Sequence, residues 1–230
     1  MISTWNCTTI AGETSEELVV QFDKGRSHRL LVIPALFDEA NKLRRTTVEI
    51  MRRLDLSGID SFLPDLPGTN ESCEPLDQQT LSGWKTVIAA AAEAFRATHV
   101  LAVRSGALLS PSALPGWQYA PLSGPKLLRS MMRARSIAAK EAGRDETMAQ
   151  MQELGRSQGI ELGGWQMGPR LFTELETAEI QEIPGQDVIS QSTIGGAGLW
   201  LRAEPDEDPE QADALAAIIA VAILGDGEPQ

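Results

Sequence analysis

The sequence predicts an α/β fold built on a doubly wound, mostly parallel sheet. Apolar stretches of strand length alternate with stretches of helical periodicity over the first 125 residues. Residues 28–37 form a continuous apolar run, HRLLVIPALF, which is typical of a strand buried on both faces of a parallel sheet. The next stretch, 38–58, has its apolar residues, among them Leu43 and Ile50, on one helical face. A strand followed by such a helix is the unit from which parallel sheets are built.

The same alternation continues along the chain. We predict further strands at 17–23, 59–68, 98–106, 117–124 and 199–205, helices at 81–97, 125–158 and 209–224, and, at 164–180, a short extended piece followed by a helix. No strand interrupts the helical pattern after residue 125, so we predict a helical cap insert at 125–165 that lies over the sheet. Residues 1–230 then form a single domain.

Charge and composition exclude several classes of function. The 230 residues carry a formal net charge of −12, whereas nucleic-acid binding needs a basic face, so we expect no nucleic-acid partner. Cys7 and Cys73 are the only cysteines and match no metal-site spacing. No glycine-rich phosphate loop follows a predicted strand. We therefore expect neither a metal site nor a cofactor.

The chain carries no pattern for export or membrane insertion. Its first ten residues, MISTWNCTTI, lack the basic and apolar regions of a signal peptide. The longest apolar run, 214–224, is eleven residues long, whereas a bilayer span takes about 20. We expect no transmembrane segment, a buried C-terminal helix and a cytoplasmic location.

The stretch LAVRSGALL, at 101–109, has the strand-turn-helix character that carries the nucleophile in G-x-S-x-G hydrolases. Such a crowded turn needs small residues two places before and two places after its central residue. Centring on Arg104 gives alanine and glycine at these places, whereas centring on Ser105 gives valine and alanine. Sterics therefore place Arg104 at the tip of the turn. A guanidinium stays protonated at any ordinary pH and cannot attack a carbonyl.

The base of a conventional triad is also missing from the expected place. The sequence holds two histidines, His28 and His99, and each opens a predicted strand. Both therefore belong to the N-terminal edge of the sheet, whereas the active site of such a sheet lies at the C-terminal edge. Glu204, Asp206 and Asp208 follow the predicted late strand, where a triad acid would sit, but they have no histidine to orient. We expect no Ser-His-Asp triad.

Four blocks of the sequence resemble a known family. They are VIPALFDEANKLRR, FLPDLPG, WQYAPLSGPKLL and GGWQMGPRLFTEL, and they span about residues 30 to 180. In this order they resemble the exosortase A system-associated hydrolases of Gram-negative bacteria. The most specific part is the set Phe37, Glu39, Asn41 or its neighbour Lys42, Arg44 and Arg45. The resemblance implies an α/β-hydrolase-like fold and a link to exopolysaccharide biosynthesis, without fixing a reaction.

The predicted C-terminal strand ends define a candidate binding cleft. Its residues are Phe37, Asp38, Glu39, Asn41, Asp65 and Arg104, with Ser105 as the candidate nucleophile. Arg104 either pairs with Glu39 or Asp38 in a closed ion pair, or forms an anion site with the helix that follows it. A third alternative is unconventional catalysis, in which a carboxylate base, Glu39 or Asp65, acts on Ser105.

The cap adds two open alternatives. Its methionines either line a groove for an acyl chain together with Trp117 and Trp165, or pack the cap onto the sheet; they are Met131, Met132, Met148, Met151 and Met167. Its basic residues either face an anionic membrane or lipid-linked sugar, or form a solvated face; they are Lys126, Arg129, Arg133, Arg135 and Lys140. We predict a degenerate hydrolase that binds a small-molecule, acyl or carbohydrate-linked ligand or a partner, the alternative being an active ester or thioester hydrolase or acyltransferase that uses Ser105.

Overall fold

The computed structural model describes residues 1–8, 12 and 14–225. The strands, numbered along the chain, are β1 (Ile2–Thr8), β2 (Thr14–Phe22), β3 (Arg29–Ile33), β4 (Asp60–Pro64), β5 (His99–Val103), β6 (Gly116–Tyr119), β7 (Ile160–Leu162), β8 (Trp165–Met167) and β9 (Gln186–Ile189). The helices are α1 (Asp38–Leu56), α2 (Leu81–Ala94), α3 (Gly124–Glu141), α4 (Met148–Ser157), α5 (Pro169–Thr177), α6 (Gln191–Ile194) and α7 (Pro209–Gly225). Short 3-10 turns lie at Leu76–Gln78, Arg104–Leu109 and Leu199–Leu201.

The predicted sheet is confirmed. In the part of the chain that the structure describes, seven strands pair in the order β1-β2-β4-β3-β5-β6-β9. The five strands from β4 to β9 in this order pair in parallel. The pairs β1–β2 and β2–β4 are antiparallel, so β1 and β2 extend one edge as a hairpin. The strands β7 and β8 form a separate small hairpin.

Two hydrophobic cores cover the two faces of the sheet. The run of β3 is buried throughout, as its composition predicts. Leu31 and Ile33 face one core, which α2, α3 and α5 complete. Leu30 and Val32 face the other, which α1 and α7 complete. Alternate residues of one strand thus serve opposite faces, and the helices on both sides make the sheet doubly wound.

One predicted strand does not form, and two strands of the sheet were not predicted. The strand predicted at 199–205 is a single 3-10 turn, Leu199–Leu201, followed by a loop. Leu199 is buried but Leu201 is 74% exposed, so the apolar run LWL reflects one anchoring residue and not a strand. The strand that joins the sheet is β9, which lies in a stretch to which the sequence pattern assigns no element. β1 also escaped prediction, although Trp5 and Cys7 alternate on its buried face.

The predicted cap region, 125–165, contains α3, α4 and β7 and reaches the start of β8. Four of the methionines in or next to this region are core residues. Met131, Met132, Met151 and Met167 are buried on the side of the sheet covered by α3 and α5. Trp117 lies in the other core and stacks against His99. The part of the acyl-groove alternative that joins Trp117 to the methionines is therefore wrong, because the sheet separates them, whereas Trp165 packs against the same core as the methionines.

The structure also bears on the membrane prediction. Over residues 1–8, 12 and 14–225, none of the helices is both long enough and apolar enough to cross a bilayer. The apolar run 214–224 belongs to α7, which packs against α1. Ile219 and Ile223 of that run are buried in the core.

The β1–β2 hairpin buries a carboxylate. Glu17 is fully buried, and its Oε1 accepts hydrogen bonds from Ser15 Oγ at 2.7 Å and Ser72 Oγ at 2.9 Å. Its Oε2 has no hydrogen-bond partner among the described residues. Burial raises the pKa of Glu17 above its ordinary value of 4.5, the two hydroxyls oppose the rise, and the nearby carboxylates Glu74 and Asp65 add to it.

This carboxylate gives a prediction about pH and stability. Because the folded state holds the Glu17 proton more tightly than the unfolded state does, the group contributes stability below pH 4.5. That contribution is lost as the pH rises through the raised folded pKa. We expect the free energy of unfolding of Glu17→Gln, minus that of the wild type, to grow from pH 4.5 upward in urea titrations. The variant Glu16→Gln, at an exposed neighbouring position, is the control. An equal trend in both variants would contradict the assignment.

Candidate functional site

The turn after β5 holds Arg104 in a strained backbone conformation. Arg104 has a φ of 54°, which L-residues other than glycine adopt at a cost. Arg104 is also the first residue of the 3-10 turn Arg104–Leu109. Within that turn, a Cβ on Gly106 would lie 2.3 Å from the carbonyl oxygen of Pro34. Only glycine fits at that place. The sequence prediction that Arg104 stands at the tip of the turn is consistent with this geometry.

Glu39 and Arg104 form a bidentate ion pair. Arg104 Nε donates to Glu39 Oε2 at 2.9 Å and Arg104 Nη2 donates to Oε1 at 3.0 Å. Both side chains are largely buried, with 10% and 16% of their surface exposed. Two parallel N–H···O bonds are the strongest arrangement available to a guanidinium and a carboxylate. The sequence left open whether Arg104 forms a closed ion pair or an anion site. The structure contains the closed ion pair, and the partner is Glu39 and not Asp38.

The remaining surroundings of Arg104 complete its enclosure. Arg104 Nη1 donates to the carbonyl oxygen of Ala120 at 2.7 Å. Its Cζ lies 3.9 Å from the centre of the Trp200 ring, within the range of a cation–π contact. The guanidinium is thus bound on its edges by oxygen atoms and on one face by an indole. Three of its five N–H groups are hydrogen-bonded within the protein, and the Glu39 carboxylate offsets its charge.

The start of α1 brings Glu39 to this position. Phe37 precedes the helix with a φ of 57° and is almost fully buried. Its ring packs against Trp84 at 6.0 Å and Trp165 at 5.7 Å between ring centres. Glu39 lies in the first turn of α1, where the helix dipole favours a negative charge. Of the predicted cleft residues, Glu39 and Arg104 therefore come together, whereas the Phe37 ring packs against Trp84 and Trp165.

Ser105 lies inside this arrangement. The residue is fully buried, and its Oγ accepts a hydrogen bond from the backbone N–H of Leu36 at 2.9 Å. No carboxylate stands among its hydrogen-bond partners in the part of the chain that the structure describes. The hydroxyl thus ties the turn after β5 to the loop between β3 and α1, a role that requires no chemistry.

The other predicted cleft residues have separate surroundings. Asp65 is buried, and its Oδ1 accepts from Arg44 Nη1 at 2.7 Å and from Asn70 Nδ2 at 2.9 Å. Asp38 is exposed and pairs with Lys42 one helical turn away at 2.9 Å. Asn41 is exposed on α1. The structure does not bring Asp38 or Asn41 into the Arg104 cluster.

A carboxamide and phenol network lies beside Arg104. The hydroxyl of Tyr119 hydrogen-bonds to Gln191 Oε1. Gln191 Nε2 donates to Gln211 Oε1 at 2.9 Å, and Gln211 Nε2 donates to Asp208 Oδ2 at 2.8 Å. Burial raises the pKa of Tyr119 to about 12, although the charge of Arg104 opposes the rise. Tyr119 therefore stays protonated at neutral pH.

Sequence reasoning missed several members of this network. Trp200 was assigned to a strand that does not form, and Gln191 and Gln211 carry no motif. Of the acidic turn, Asp208 alone joins the network, where hydrogen bonds from Gln211 lower its pKa. The signal that was available is the adjacent pair Gly195 and Gly196, which both have positive φ and so mark a turn before Trp200. Positive φ values favour glycine.

The histidines lie at the far ends of their strands. His99 opens β5, whereas Arg104 follows its last residue. Five residues of strand separate the two positions by about 17 Å. The His99 ring stacks on Trp117, and its Nδ1 lies 2.9 Å from Thr98 Oγ1. His28 precedes β3 in the same way.

Comparisons with known proteins bear on the fold. No protein-family model and no curated protein sequence matches the chain. Solved structures match over nearly the whole chain: alpha/beta hydrolase domain-containing protein 10 from mouse has 13% identity over 98% of this chain and 99% of its own, with a TM-score of 0.58. A candidate hydrolase from Agrobacterium vitis S4 has 14% identity over 99% of this chain and 100% of its own, with a TM-score of 0.53.

A third structure agrees. The alpha/beta hydrolase GrgF from Penicillium sp. sh18 has 14% identity over 83% of this chain and 79% of its own, with a TM-score of 0.51. The chain has an α/β-hydrolase-like fold. In hydrolases of this fold the nucleophile stands on the sharp turn between a central strand and the next helix. In this chain the turn after β5, a central strand of the sheet, carries Arg104 with a positive φ. Identities this low support the fold alone, so the chemistry has to be argued from the site.

Proposed function

We propose that the protein is a degenerate α/β-hydrolase that acts by binding, in connection with exopolysaccharide biosynthesis, and does not hydrolyse esters. One observation carries the proposal: the turn on which this fold places its nucleophile holds Arg104, and Glu39 binds that arginine with two hydrogen bonds. A protonated guanidinium has no lone pair with which to attack a carbonyl. The pair is also largely buried, with 10% of the Arg104 side chain and 16% of the Glu39 side chain exposed.

The alternative nucleophile, Ser105, lacks the surroundings that catalysis requires. A catalytic serine needs a base within hydrogen-bond reach and access to substrate. Ser105 has no exposed surface and its oxygen faces the Leu36 amide. Glu39, one candidate base, is engaged by Arg104, and Asp65, the other, is engaged by Arg44 and Asn70. These contacts favour binding over hydrolysis.

The anion-binding alternative is also weakened by the ion pair. Glu39 neutralises Arg104 at short range, and the Ala120 carbonyl takes a further N–H. An incoming phosphate or carboxylate would have to displace Glu39 and leave that carboxylate without its partner, which is costly at a largely buried site. We therefore assign Arg104 a structural role, and a ligand or partner must contact other surfaces of the protein.

The link to exopolysaccharide biosynthesis rests on the sequence blocks that resemble the exosortase-associated family. A genetic experiment tests both parts of the proposal. Deletion of the gene from its host is expected to lower secreted polysaccharide, measured as total hexose in the culture supernatant. Complementation with Ser105→Ala is expected to restore the polysaccharide to the wild-type level. Failure of Ser105→Ala, expressed at the level of the wild-type protein, would show that a serine-dependent reaction is required. An unchanged polysaccharide level after deletion would contradict the link itself.

A further inference from the structure

The sheet ends in an unpaired strand. β9 pairs with β6 on one side, and among the described residues no strand pairs with its other side. An exposed edge is a ready template for another extended chain, and proteins usually cover or charge such edges. The segment that the sequence predicted as a further strand, 199–205, forms a 3-10 turn and a loop and does not join the sheet.

The backbone of β9 presents hydrogen-bonding groups to this open side. The carbonyl oxygens of Gly185 and Ile189 accept hydrogen bonds from the β6 segment at 2.9 and 2.8 Å, and so point inward. The amide of Gln186 points the other way and donates to Ile183 O at 3.0 Å. Val188 follows Gln186 by two residues, so its N–H and C=O face the open edge. Val188 is 62% exposed.

A groove runs beside this edge. Its volume is about 510 Å³, and its walls include Gln118, Ile180, Glu182, Ile183 and Val188. Gln118 is buried, and its Nε2 donates to Gln181 O at 3.2 Å. The Oε1 atom of Gln118 has no hydrogen-bond partner among the described residues. The wall of the groove therefore includes a residue with a buried acceptor that lacks a partner among the described residues, which is uncommon in folded proteins.

The edge is also acidic. Residues 178–190 contain Glu179, Glu182 and Asp187 and no lysine, arginine or histidine. Asp187 alternates with Val188 in β9, so its side chain lies on the opposite face of the sheet. An added strand would thus meet Val188 on one face of the sheet and Asp187 on the other. Glu182 lines the groove together with Val188.

We propose that this edge, residues 180–188, binds an extended basic segment of a partner protein as an additional strand of the sheet. Main-chain hydrogen bonds to Val188 supply the pairing, as in other cases of strand addition. The bound segment alternates an apolar residue, packed against Val188 and Ile183, with lysine or arginine residues near Asp187 and Glu182. A second copy of the chain is the less favoured occupant, because it would bring the same carboxylates and its own net charge of −12.

The proposal goes beyond the proposed function. The edge shares no residue with the Arg104 pair, so strand addition there does not depend on whether Ser105 reacts. The two tests are therefore separate: labelling or loss of function at Ser105 leaves the peptide experiment unaffected, and absence of peptide binding leaves the assignment of Arg104 unaffected.

The probe is a fluorescein-labelled hexapeptide of alternating lysine and valine with blocked termini, titrated with the full chain and followed by fluorescence anisotropy. We expect saturable binding that weakens at least tenfold in the double variant Glu182→Lys, Asp187→Lys. The control double variant Glu141→Lys, Asp145→Lys changes two exposed carboxylates of the cap by the same charge and is expected to bind within twofold of the wild type. A peptide with glutamate in place of lysine is expected not to bind.

A second peptide separates strand pairing from charge attraction. It carries N-methyl groups on alternate residues, which keep the charge and remove the N–H groups of one edge. We expect it to bind at least tenfold more weakly, and we expect the unmodified peptide to slow hydrogen exchange at the Val188 amide. Equal binding of both peptides, equal losses in both double variants, or no binding of the lysine–valine peptide would overturn the proposal. A wild-type dimer that Val188→Lys dissociates in sedimentation would overturn it in favour of a second copy.

Discussion

Replacing Arg104 with alanine is expected to lower the free energy of unfolding by about 3 kcal/mol, the range measured when one partner of a buried ion pair is removed. The substitution leaves the Glu39 carboxylate, 16% exposed, without its two N–H donors. It also removes the guanidinium that packs on Trp200. Urea denaturation at pH 7, followed by tryptophan fluorescence and circular dichroism, measures the loss.

The matched control is Arg45→Ala on α1, the helix that also carries Glu39. Arg45 is 64% exposed and pairs with Glu207 at 2.7 Å, and exposed pairs of this kind contribute about 0.5 kcal/mol or less. In the double variant Arg104→Met, Glu39→Gln no buried charge is left unpaired, so we expect a loss smaller than the sum of the two single losses. A loss at Arg104→Ala no larger than at Arg45→Ala would contradict a structural role for the pair.

Gly106→Ala is expected to lower the free energy of unfolding by about 3 kcal/mol or more, or to prevent accumulation of folded protein. The added Cβ would lie 2.3 Å from Pro34 O and 2.9 Å from Ile33 O. Both oxygens belong to the backbone at the end of β3, which cannot shift without moving the central strand. Thermal and urea denaturation, or soluble yield where the variant does not fold, measures the effect.

Gly143→Ala separates steric overlap from backbone strain. Gly143 has a φ of 72°, and nothing lies within 4 Å of a Cβ built on it, so this variant reports the left-handed conformation alone, at about 1 kcal/mol. We expect the loss at Gly106 to exceed the loss at Gly143 by about 2 kcal/mol. A stable Gly106→Ala protein would show that the turn after β5 is more open than the contacts with Pro34 indicate.

A steric argument made it possible to predict from the sequence which residue stands at the tip of the turn after β5. Small residues two places before and after Arg104 satisfy a local requirement of a crowded turn, and local requirements can be read from a short window. An ion pair of Arg104 with Glu39 or Asp38 was one of the alternatives that topology offered, because parallel strands bring their carboxyl ends, and the residues after them, to one edge of the sheet. Both inferences depend on features that are close together in sequence or fixed by the fold class.

The partners of Arg104 beyond Glu39 could not be predicted in this way. Trp200, which contacts the guanidinium, lies in the 3-10 turn Leu199–Leu201. The apolar sequence LWL is as compatible with a strand as with such a turn, so the pattern alone does not place Trp200. β9 has two buried and two exposed residues in the order buried, exposed, exposed, buried, so it lacks the alternation that marks a strand. Such an edge strand is recognised only from its pairing with β6.

The cap shows a third kind of limit. The methionines predicted either to line a groove or to fill a core have the same spacing in both cases, because one helical face serves either purpose. Deciding between them requires knowledge of what packs opposite, here Phe172 and Leu175 of α5. The sequence analysis grouped Trp117 with the methionines in one candidate groove. Only the structure shows that Trp117 lies on the opposite face of the sheet from them.

Labelling with a fluorophosphonate probe tests the central claim most directly. The purified protein and Ser105→Ala are incubated with the probe beside a known serine hydrolase and analysed by intact mass. Because Arg104, and not Ser105, has the positive φ at the start of the turn after β5, and because Ser105 Oγ is buried against the Leu36 amide, we predict no adduct on either form of a folded protein. A stoichiometric adduct on the wild type that is absent from Ser105→Ala would contradict the account and would make Ser105 a reactive nucleophile.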